Sequence, residues 1–205
     1  GAIAIRAMEI EREMEKGTEF PFDKIVQLNI GNPQILGQKP ITFNREVLAC
    51  CLHDNLELNK QIYSKDAVER ANYYLNSINH RAAGAYTDSP GLRSVIKEVK
   101  DFIEARDNVK SDMENIYLVN GASEGITVMI RLLLQNEHDG LMIPTPQYPI
   151  YSALVTRFGG RQVPYYLDED KGWGLTVEEL ESAYKRGKDH GTTIRGIVLI
   201  NPGNP

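Results

Sequence analysis

The sequence predicts a three-layer α/β domain, in which a mostly parallel sheet lies between two layers of helices. Four short, largely apolar runs predict its strands, and the first is apolar on both alternating faces, as in a strand buried on both sides. These runs lie at 116–119, 140–143, 162–166 and 196–200. Amphipathic patterns between them predict helices, and strands that alternate with helices are typical of parallel sheets. The helices are expected at 92–105, 122–136, 150–158 and 177–185.

The first part of the chain predicts an N-terminal arm and part of a small domain over 1–75, followed by the first part of a large domain over 76–205. The elements expected before residue 80 are helices at 2–16, 44–52 and 64–78, an extended segment at 25–30 and a break at 60–64. Gly31 follows the extended segment, and its lack of a Cβ atom allows a small ligand to approach the backbone. A plain loop explains the same residues, and both interpretations stay open.

Composition narrows the class of protein. A net charge of −5 argues against nucleic acid as the main partner. No apolar run approaches the roughly 20 residues that a membrane-spanning helix needs. Cys50 and Cys51 are adjacent, and adjacent cysteines rarely bridge each other, so reduced thiols in a cytoplasmic compartment are expected. The histidines lack the spacing of metal ligands, and no metal site is expected.

The stretch 116–136 combines a strand, a tight turn and a helix. Gly121 can adopt the positive φ that such a turn needs, and the first N–H groups of the helix have no intrahelical partner. Small residues at 121–123 leave room for an anion at this positive helix end, and the Ser123 hydroxyl adds a donor, which suits a phosphate group. The alternative is that Ser123 caps its own helix.

The same turn matches the Gly-x-Ser-x-Gly pattern of serine hydrolases at 121–125, in the strand–turn–helix context that the pattern requires. A serine hydrolase with Ser123 as nucleophile is therefore an alternative function. It needs an acid and then a histidine later in the chain, and Asp168 or Asp170 followed by His190 satisfies that order. The glycine-rich fingerprints of dinucleotide-binding and P-loop proteins are absent.

Two further side chains follow the ends of predicted strands. Tyr148 lies between two prolines after the strand at 140–143, and Asn204 follows the strand at 196–200. Ligands of open α/β sheets bind beyond the carboxyl ends of the strands, so both side chains are expected near the turn at Ser123. A planar aromatic ligand with a phosphate arm would use all three, by stacking on the tyrosine and bonding to the asparagine. Pyridoxal phosphate has this shape.

The motif Asn-Pro-Gly-Asn-Pro at 201–205 resembles that of the fold-type-I pyridoxal-phosphate-dependent aminotransferases. Further stretches are similar to the alanine aminotransferase family within that class: NIGNPQ, GQKPITFNREV, IYLVNGASEGI, MIPTPQYPIYSA and YYLDEDKGWGL. The resemblance implies amino transfer between L-alanine and 2-oxoglutarate with pyridoxal 5'-phosphate, in a homodimer with shared active sites. It also implies that the Gly-x-Ser-x-Gly match is coincidental, while another enzyme of the same fold type remains an alternative.

The resemblance assigns roles to individual residues of this chain. Ala122 and Ser123 match the turn that binds the cofactor phosphate. Tyr148 matches the aromatic residue that stacks on the cofactor ring, and Asn204 matches the asparagine that bonds to the ring hydroxyl.

Two further matches concern the partner subunit and the substrate. Tyr86 matches the tyrosine that reaches the cofactor phosphate of the partner subunit, and Gly31 matches the glycine near the substrate carboxylate. In the family, the lysine that carries the cofactor, the aspartate at its ring nitrogen and the arginine for the substrate carboxylate all lie beyond the point that matches Pro205. The resemblance therefore implies the N-terminal portion of a longer protein, without catalytic residues and inactive alone. A mitochondrial location is compatible with it.

Overall fold

The computed structural model describes residues 2–28, 31–53 and 55–204. Backbone contacts divide the chain into two compact units, Gly1–Ala83 and Gly84–Pro205. None of the described helices is both long and apolar enough to cross a lipid bilayer. The assignment of the chain to an arm with part of a small domain and to a large cofactor-binding domain remains a prediction.

The first unit is helical. Its helices are α1 (Ala2–Glu15), α2 (Thr42–Leu52), α3 (Leu56–Ile62) and α4 (Lys65–Asn76). Helices α2 and α4 form its core, which consists of Val47, Cys50, Ala67, Val68 and Ala71. Helices α1, α2 and α4 confirm the predicted ones, but α3 lies partly where a break was expected at 60–64. Its start is capped by Asn55, whose side chain accepts a hydrogen bond from the Leu58 N–H, so the sequence did contain an N-cap signal.

The second unit contains the sheet. Its elements in chain order are α5 (Arg93–Asp107), α6 (Ala122–Leu133), β1 (Asp139–Thr145), α7 (Ile150–Arg157), β2 (Arg161–Tyr166), α8 (Val177–Asp189) and β3 (Thr193–Ile197). The three described strands are parallel and lie in the order β2-β1-β3. The central strand β1 is buried along all but its last residue. The predicted parallel α/β arrangement is confirmed.

Helices cover both faces of this sheet. Alternate residues of a strand point to opposite faces, and Leu141 and Met142, neighbours in β1, belong to different clusters. The cluster beneath α6 and α7 consists of Ile130, Leu134, Leu141, Ile143, Leu154 and Val155. The cluster beneath α8 consists of Met142, Val163, Tyr165 and Ala183. The second unit therefore has the predicted three layers.

The segment 116–119, predicted as a strand, is extended but pairs with none of the described strands. Its Leu118 N–H instead donates to the Pro90 carbonyl at 2.7 Å. The strand prediction is wrong here, because an apolar run indicates an extended backbone but does not supply the neighbouring strand that a ladder needs. The last predicted strand, at 196–200, lies at 193–197 as β3, because polar residues at its start hide the strand pattern.

Asp139, at the start of β1, joins three elements at the amino edge of the sheet. It is fully buried. Its Oδ2 accepts hydrogen bonds from the N–H groups of Gln135 and Asn136, at 2.9 and 3.2 Å, and its Oδ1 accepts one from Arg195 Nε at 2.7 Å. The Gln135 N–H does most to hold the pKa of Asp139 below its usual value, against the opposing effect of burial. The end of α6 is thus fixed beside the start of β1. Ile130 of α6 belongs to the cluster that contains Leu141 and Ile143 of β1, and Ile126 packs against it, so the first turn of α6 lies towards the carboxyl edge.

Candidate functional site

The α6 turn, residues 120–124, leaves three hydrogen-bond donors free. Gly121 is the N-cap of α6, with φ 87° and ψ 166°. Within the described part of the chain, the N–H groups of Ala122 and Ser123 and the Ser123 hydroxyl have no hydrogen-bond partner. Apart from Gly121 and its two chain neighbours, no described residue has an atom within 4 Å of the position that a Cβ atom would take at Gly121. Free N–H groups at a helix N-terminus and an open approach suit a phosphate group.

Ser123 does not cap α6. The N-cap position belongs to Gly121, and no side chain supplies a capping hydrogen bond there. The engaged atom of Ser123 is its carbonyl oxygen, which accepts a hydrogen bond from the Thr127 hydroxyl at 2.6 Å. The interpretation of Ser123 as a cap is therefore wrong, and its exposed hydroxyl is available to a ligand.

Glu124 makes a contact in the α6 turn that the sequence analysis missed. One oxygen of its carboxylate accepts a hydrogen bond from the Asn120 N–H. The next N–H, that of Gly121, bonds to the Val119 carbonyl at 2.9 Å. Part of a signal was present, because a glutamate three residues after an N-cap is the acidic half of a capping box. In that motif the glutamate bonds to the N–H of the N-cap, whereas here it reaches the N–H one residue earlier.

The loop that carries Tyr86 is anchored beside the α6 turn. At its end, the Pro90 carbonyl accepts from the Leu118 N–H, and Gly91 lies against the Leu118 side chain with a φ of 117°. A Cβ atom at Gly91 would lie 2.7 Å from that side chain, so only glycine fits. Tyr86 itself is fully exposed. Its role at the partner subunit stays a prediction.

Tyr148 lies in the loop between β1 and α7, and 46% of its surface is exposed. Its ring is therefore accessible to a planar ligand. In the same loop, the side-chain oxygen of Gln147 is buried and has no hydrogen-bond partner among the residues described. A buried acceptor without a donor is costly, and no sequence signal pointed to this one.

A cavity of about 800 Å³ opens at the carboxyl edge of the sheet. It is lined by Pro144, Pro146, Tyr165, Leu167, Gly172, Trp173, Leu175 and residues 199–203. The Tyr165 hydroxyl donates to the Val198 carbonyl at 2.5 Å, and burial raises the pKa of this phenol, so it stays a donor. Asn204 is exposed and follows the lining directly in sequence. The structure brings Tyr148, Asn204 and the turn at Ser123 to the same edge of the sheet.

The triad of a serine hydrolase is not assembled. Asp168 and Asp170 follow β2, at the carboxyl edge of the sheet. His190 follows α8 at the amino edge, where its carbonyl accepts a hydrogen bond from Arg161, the first residue of β2, at 2.7 Å. His190 and Ser123 therefore lie at opposite edges, and the hydrolase interpretation is wrong.

Gly31 lies in the first unit, whereas the other predicted site residues lie in the second unit. It is exposed, and no described atom would crowd a Cβ atom there. Of the extended segment predicted at 25–30, the last two residues lie outside those described, and the rest form no strand. The role of Gly31 near the substrate carboxylate stays a prediction.

Comparison with known proteins places the chain in a family. A family model described as aminotransferase class I and II matches residues 46–205. The chain belongs to this family. Alanine aminotransferase 1, mitochondrial, from Arabidopsis thaliana is 44% identical over 209 residues, covering 100% of this chain and 38% of that protein. Glutamate–glyoxylate aminotransferase 2 from the same plant is 43% identical and covers 100% of this chain and 41% of its own length.

A comparison with a solved structure shows that the fold of this chain is that of an aminotransferase. An aminotransferase from Escherichia coli has a TM-score of 0.66 at 29% identity, covering 97% of this chain and 39% of that chain. The chain spans about two fifths of the length of the curated relatives it matches. The similarity confirms the predicted aminotransferase fold, and the Gly-x-Ser-x-Gly pattern is coincidental.

Proposed function

We propose that the protein is a pyridoxal-phosphate-dependent aminotransferase that transfers an amino group between L-alanine and 2-oxoglutarate. The observation that carries the proposal is the α6 turn, which offers two free N–H groups and the Ser123 hydroxyl to an anion. Membership of the aminotransferase family supports the reaction class, and the name of one relative supports L-alanine as a substrate. The choice of 2-oxoglutarate follows from the resemblance to the alanine aminotransferase family.

The described residues fit pyridoxal 5'-phosphate. Its phosphate needs several donors with no side chain in the way, and Gly121 leaves that space open beside Ala122 and Ser123. Its ring needs a flat apolar surface, and the half-exposed ring of Tyr148 supplies one. Its ring hydroxyl needs a polar partner, which the exposed Asn204 supplies. Stacking of this kind contributes about 0.5–1.5 kcal/mol beyond the burial of area.

When bound, the cofactor supplies an electron-withdrawing ring that stabilises negative charge at the substrate Cα. The residues of this chain bind the cofactor and orient it. Ala122 and Ser123 hold the phosphate end, Asn204 holds the hydroxyl on the ring, and Tyr148 covers one ring face against water. Holding a reactant in one orientation lowers the entropic part of the barrier. We therefore assign these residues to cofactor placement and none of them to proton transfer.

We further propose a homodimer in which the exposed Tyr86 reaches the cofactor phosphate of the partner site. Gly31 would admit the substrate carboxylate, because no side chain obstructs its backbone. The resemblance matches no residue of this chain to the lysine, aspartate and arginine that carry out the chemistry in the family. We therefore expect the 205-residue polypeptide alone to be inactive.

Glyoxylate is a second candidate acceptor, because a relative named for glutamate and glyoxylate is 43% identical to this chain. The test uses the full-length protein with pyridoxal phosphate and L-alanine, and follows pyruvate with either 2-oxoglutarate or glyoxylate. Faster pyruvate formation with 2-oxoglutarate supports the first proposal, and faster formation with glyoxylate supports the second. No pyruvate with either acceptor would overturn both.

We propose the cytoplasm as the compartment. Cys50 and Cys51 are free thiols, as is usual in a reducing compartment. Burial raises the pKa of both, which favours the less reactive protonated thiol. The name of the mitochondrial relative makes the mitochondrion the alternative. Cell fractionation followed by detection of the native protein distinguishes the two.

A further inference from the structure

The carboxylate of Glu124 spans the α6 turn. Glu124 is the third residue of α6, and its Oε2 accepts the N–H of Asn120, the residue before the N-cap. No other residue of the α6 turn makes a described side-chain hydrogen bond to the backbone ahead of the helix. The contact therefore closes the turn from the helix side.

Two further contacts hold the approach to this turn. The Leu118 N–H is bonded to the Pro90 carbonyl at 2.7 Å. Beneath the turn, a Cβ atom at Gly125 would lie 3.3 Å from a methyl group of Val119, so helix and incoming chain are already in close contact. Between these fixed points stands Gly121, at a positive φ with open space around it. The backbone of Gly121 is itself bonded on both sides, through its N–H to the Val119 carbonyl and through its carbonyl to the N–H groups of Glu124 and Gly125. The Glu124 carboxylate is the side-chain contact that adds to these bonds and restrains the backbone across this glycine.

The charge of Glu124 has the wrong sign for an anion site. A carboxylate in the first turn of a helix offsets the positive end of the helix dipole, and it repels a phosphate held at the same end. A favourable effect of Glu124 on phosphate binding must therefore come from its hydrogen-bond acceptor. Glutamine keeps an acceptor oxygen at the same position and removes the charge, so the two contributions are separable.

We propose that Glu124 is a positioning residue for the cofactor phosphate. By binding the Asn120 N–H it fixes the backbone across Gly121, and this directs the free N–H groups of Ala122 and Ser123 towards one point. The inference rests on the proposed binding of pyridoxal phosphate and adds to it the residue that arranges the donors.

The test compares two ligands on the full-length protein: pyridoxal phosphate, and pyridoxal, which has the same ring without the phosphate. Affinities are measured by absorbance titration for the wild type, Glu124→Ala, Glu124→Gln and the control Glu178→Ala. Glu178 is an exposed carboxylate in the first turn of α8. Thermal melting of each variant checks folding, and Glu124→Met, which keeps the side-chain length without an oxygen acceptor, replaces Glu124→Ala if that variant does not fold.

Glu124→Ala should raise the Kd for pyridoxal phosphate about tenfold and change the Kd for pyridoxal less than about twofold. Glu124→Gln should bind pyridoxal phosphate at least as tightly as the wild type, and Glu178→Ala should match the wild type. Equal weakening of both ligands, no weakening of either, or a Glu124→Gln variant as weak as Glu124→Ala would overturn the inference while leaving the proposed function intact. A wild type that does not prefer pyridoxal phosphate over pyridoxal would overturn the proposed phosphate site itself, and this inference with it.

Discussion

The two edges of the sheet in the second unit differ in how their polar groups are used. At the amino edge they are paired with each other. The buried carboxylate of Asp139 accepts two backbone N–H groups and the Arg195 guanidinium. Arg161, next to it on β2, donates to the carbonyls of Glu137 and His190 at 2.9 and 2.7 Å. This edge holds the ends of the helices to the starts of the strands.

At the carboxyl edge, polar groups are left without partners among the described residues. The N–H groups of Ala122 and Ser123 and the Ser123 hydroxyl are free, and the buried oxygen of Gln147 has no donor. The cavity of about 800 Å³ opens at this edge. Substitutions at the amino edge should therefore change stability, whereas substitutions at the carboxyl edge should change ligand binding.

The largest effect on stability is expected for Asp139→Ala. It leaves the N–H groups of Gln135 and Asn136 and the Arg195 guanidinium without their acceptor, and should lower the Tm by about 5–10 °C in a thermal unfolding experiment. Asp170→Ala is the control, because this exposed side chain makes no hydrogen bond within the described part of the chain. A fall in Tm no larger than that of the control would contradict the contrast between the edges.

Acid should remove the stabilisation by Asp139. Its pKa in the folded protein is below its usual value, mainly because the Gln135 N–H donates to it. A carboxyl group with a depressed folded pKa stabilises the fold above its unfolded pKa, about 3.9, and this contribution is lost as the pH falls through the folded pKa. In urea unfolding, the difference between the wild type and Asp139→Asn should be constant above about pH 5 and shrink below about pH 4. A difference that persists unchanged in strong acid would argue against the ionised carboxylate.

Ser123→Ala should weaken pyridoxal phosphate binding by about tenfold in the full-length protein, since a hydrogen bond to a charged group contributes about 1.5–3 kcal/mol. The Tm without cofactor should stay unchanged, because the hydroxyl bonds to no described residue. Ser152→Ala, which removes a hydroxyl bonded to the Pro149 carbonyl at 3.1 Å, serves as the control for affinity. A loss of stability with unchanged affinity would assign Ser123 a structural role.

The smallest effect is expected for Tyr148→Ala. Loss of stacking should weaken cofactor binding by about two- to tenfold and alter the absorbance of the bound cofactor. Tyr148→Phe keeps the ring and should retain both affinity and spectrum. The same titration and absorbance measurements apply, and identical spectra for Tyr148→Ala and the wild type would remove the tyrosine from the site.

Much of the fold of the second unit could be predicted from periodicity, because β1, β2 and the helices around them have strong local patterns. The features that could not be predicted are those in which a bonding partner distant in sequence determines the structure. Residues 116–119 have the composition of a strand, yet their bonding partner is the Pro90 carbonyl, which no local pattern indicates. The pairing of Asp139 with Arg195 joins residues that are far apart in sequence, and it depends on the order of the strands.

In the candidate site, too, the local features could be predicted and the distant contacts could not. The pattern of a strand, a glycine and small residues predicted that Ala122 and Ser123 lie at a helix N-terminus, and the structure confirms that position. The roles assigned to them, and to Tyr148 and Asn204, stay predictions. The capping-box spacing of Glu124 could predict that its carboxylate turns back towards the backbone before α6, but not that its partner is the Asn120 N–H and not that of the N-cap. The buried oxygen of the glutamine before Tyr148 was not, because burial without a donor is a property of the packed loop.

The most direct measurement of the difference between the edges is a crystal structure of the full-length protein with pyridoxal phosphate. The account predicts phosphate oxygens about 2.7–3.1 Å from the amide nitrogens of Ala122 and Ser123 and from Ser123 Oγ. It also predicts that Asp139 at the amino edge makes the same contacts in that complex as it makes in the structure without the cofactor. A phosphate bound elsewhere, with the donors of Ala122 and Ser123 still without partners, would contradict it.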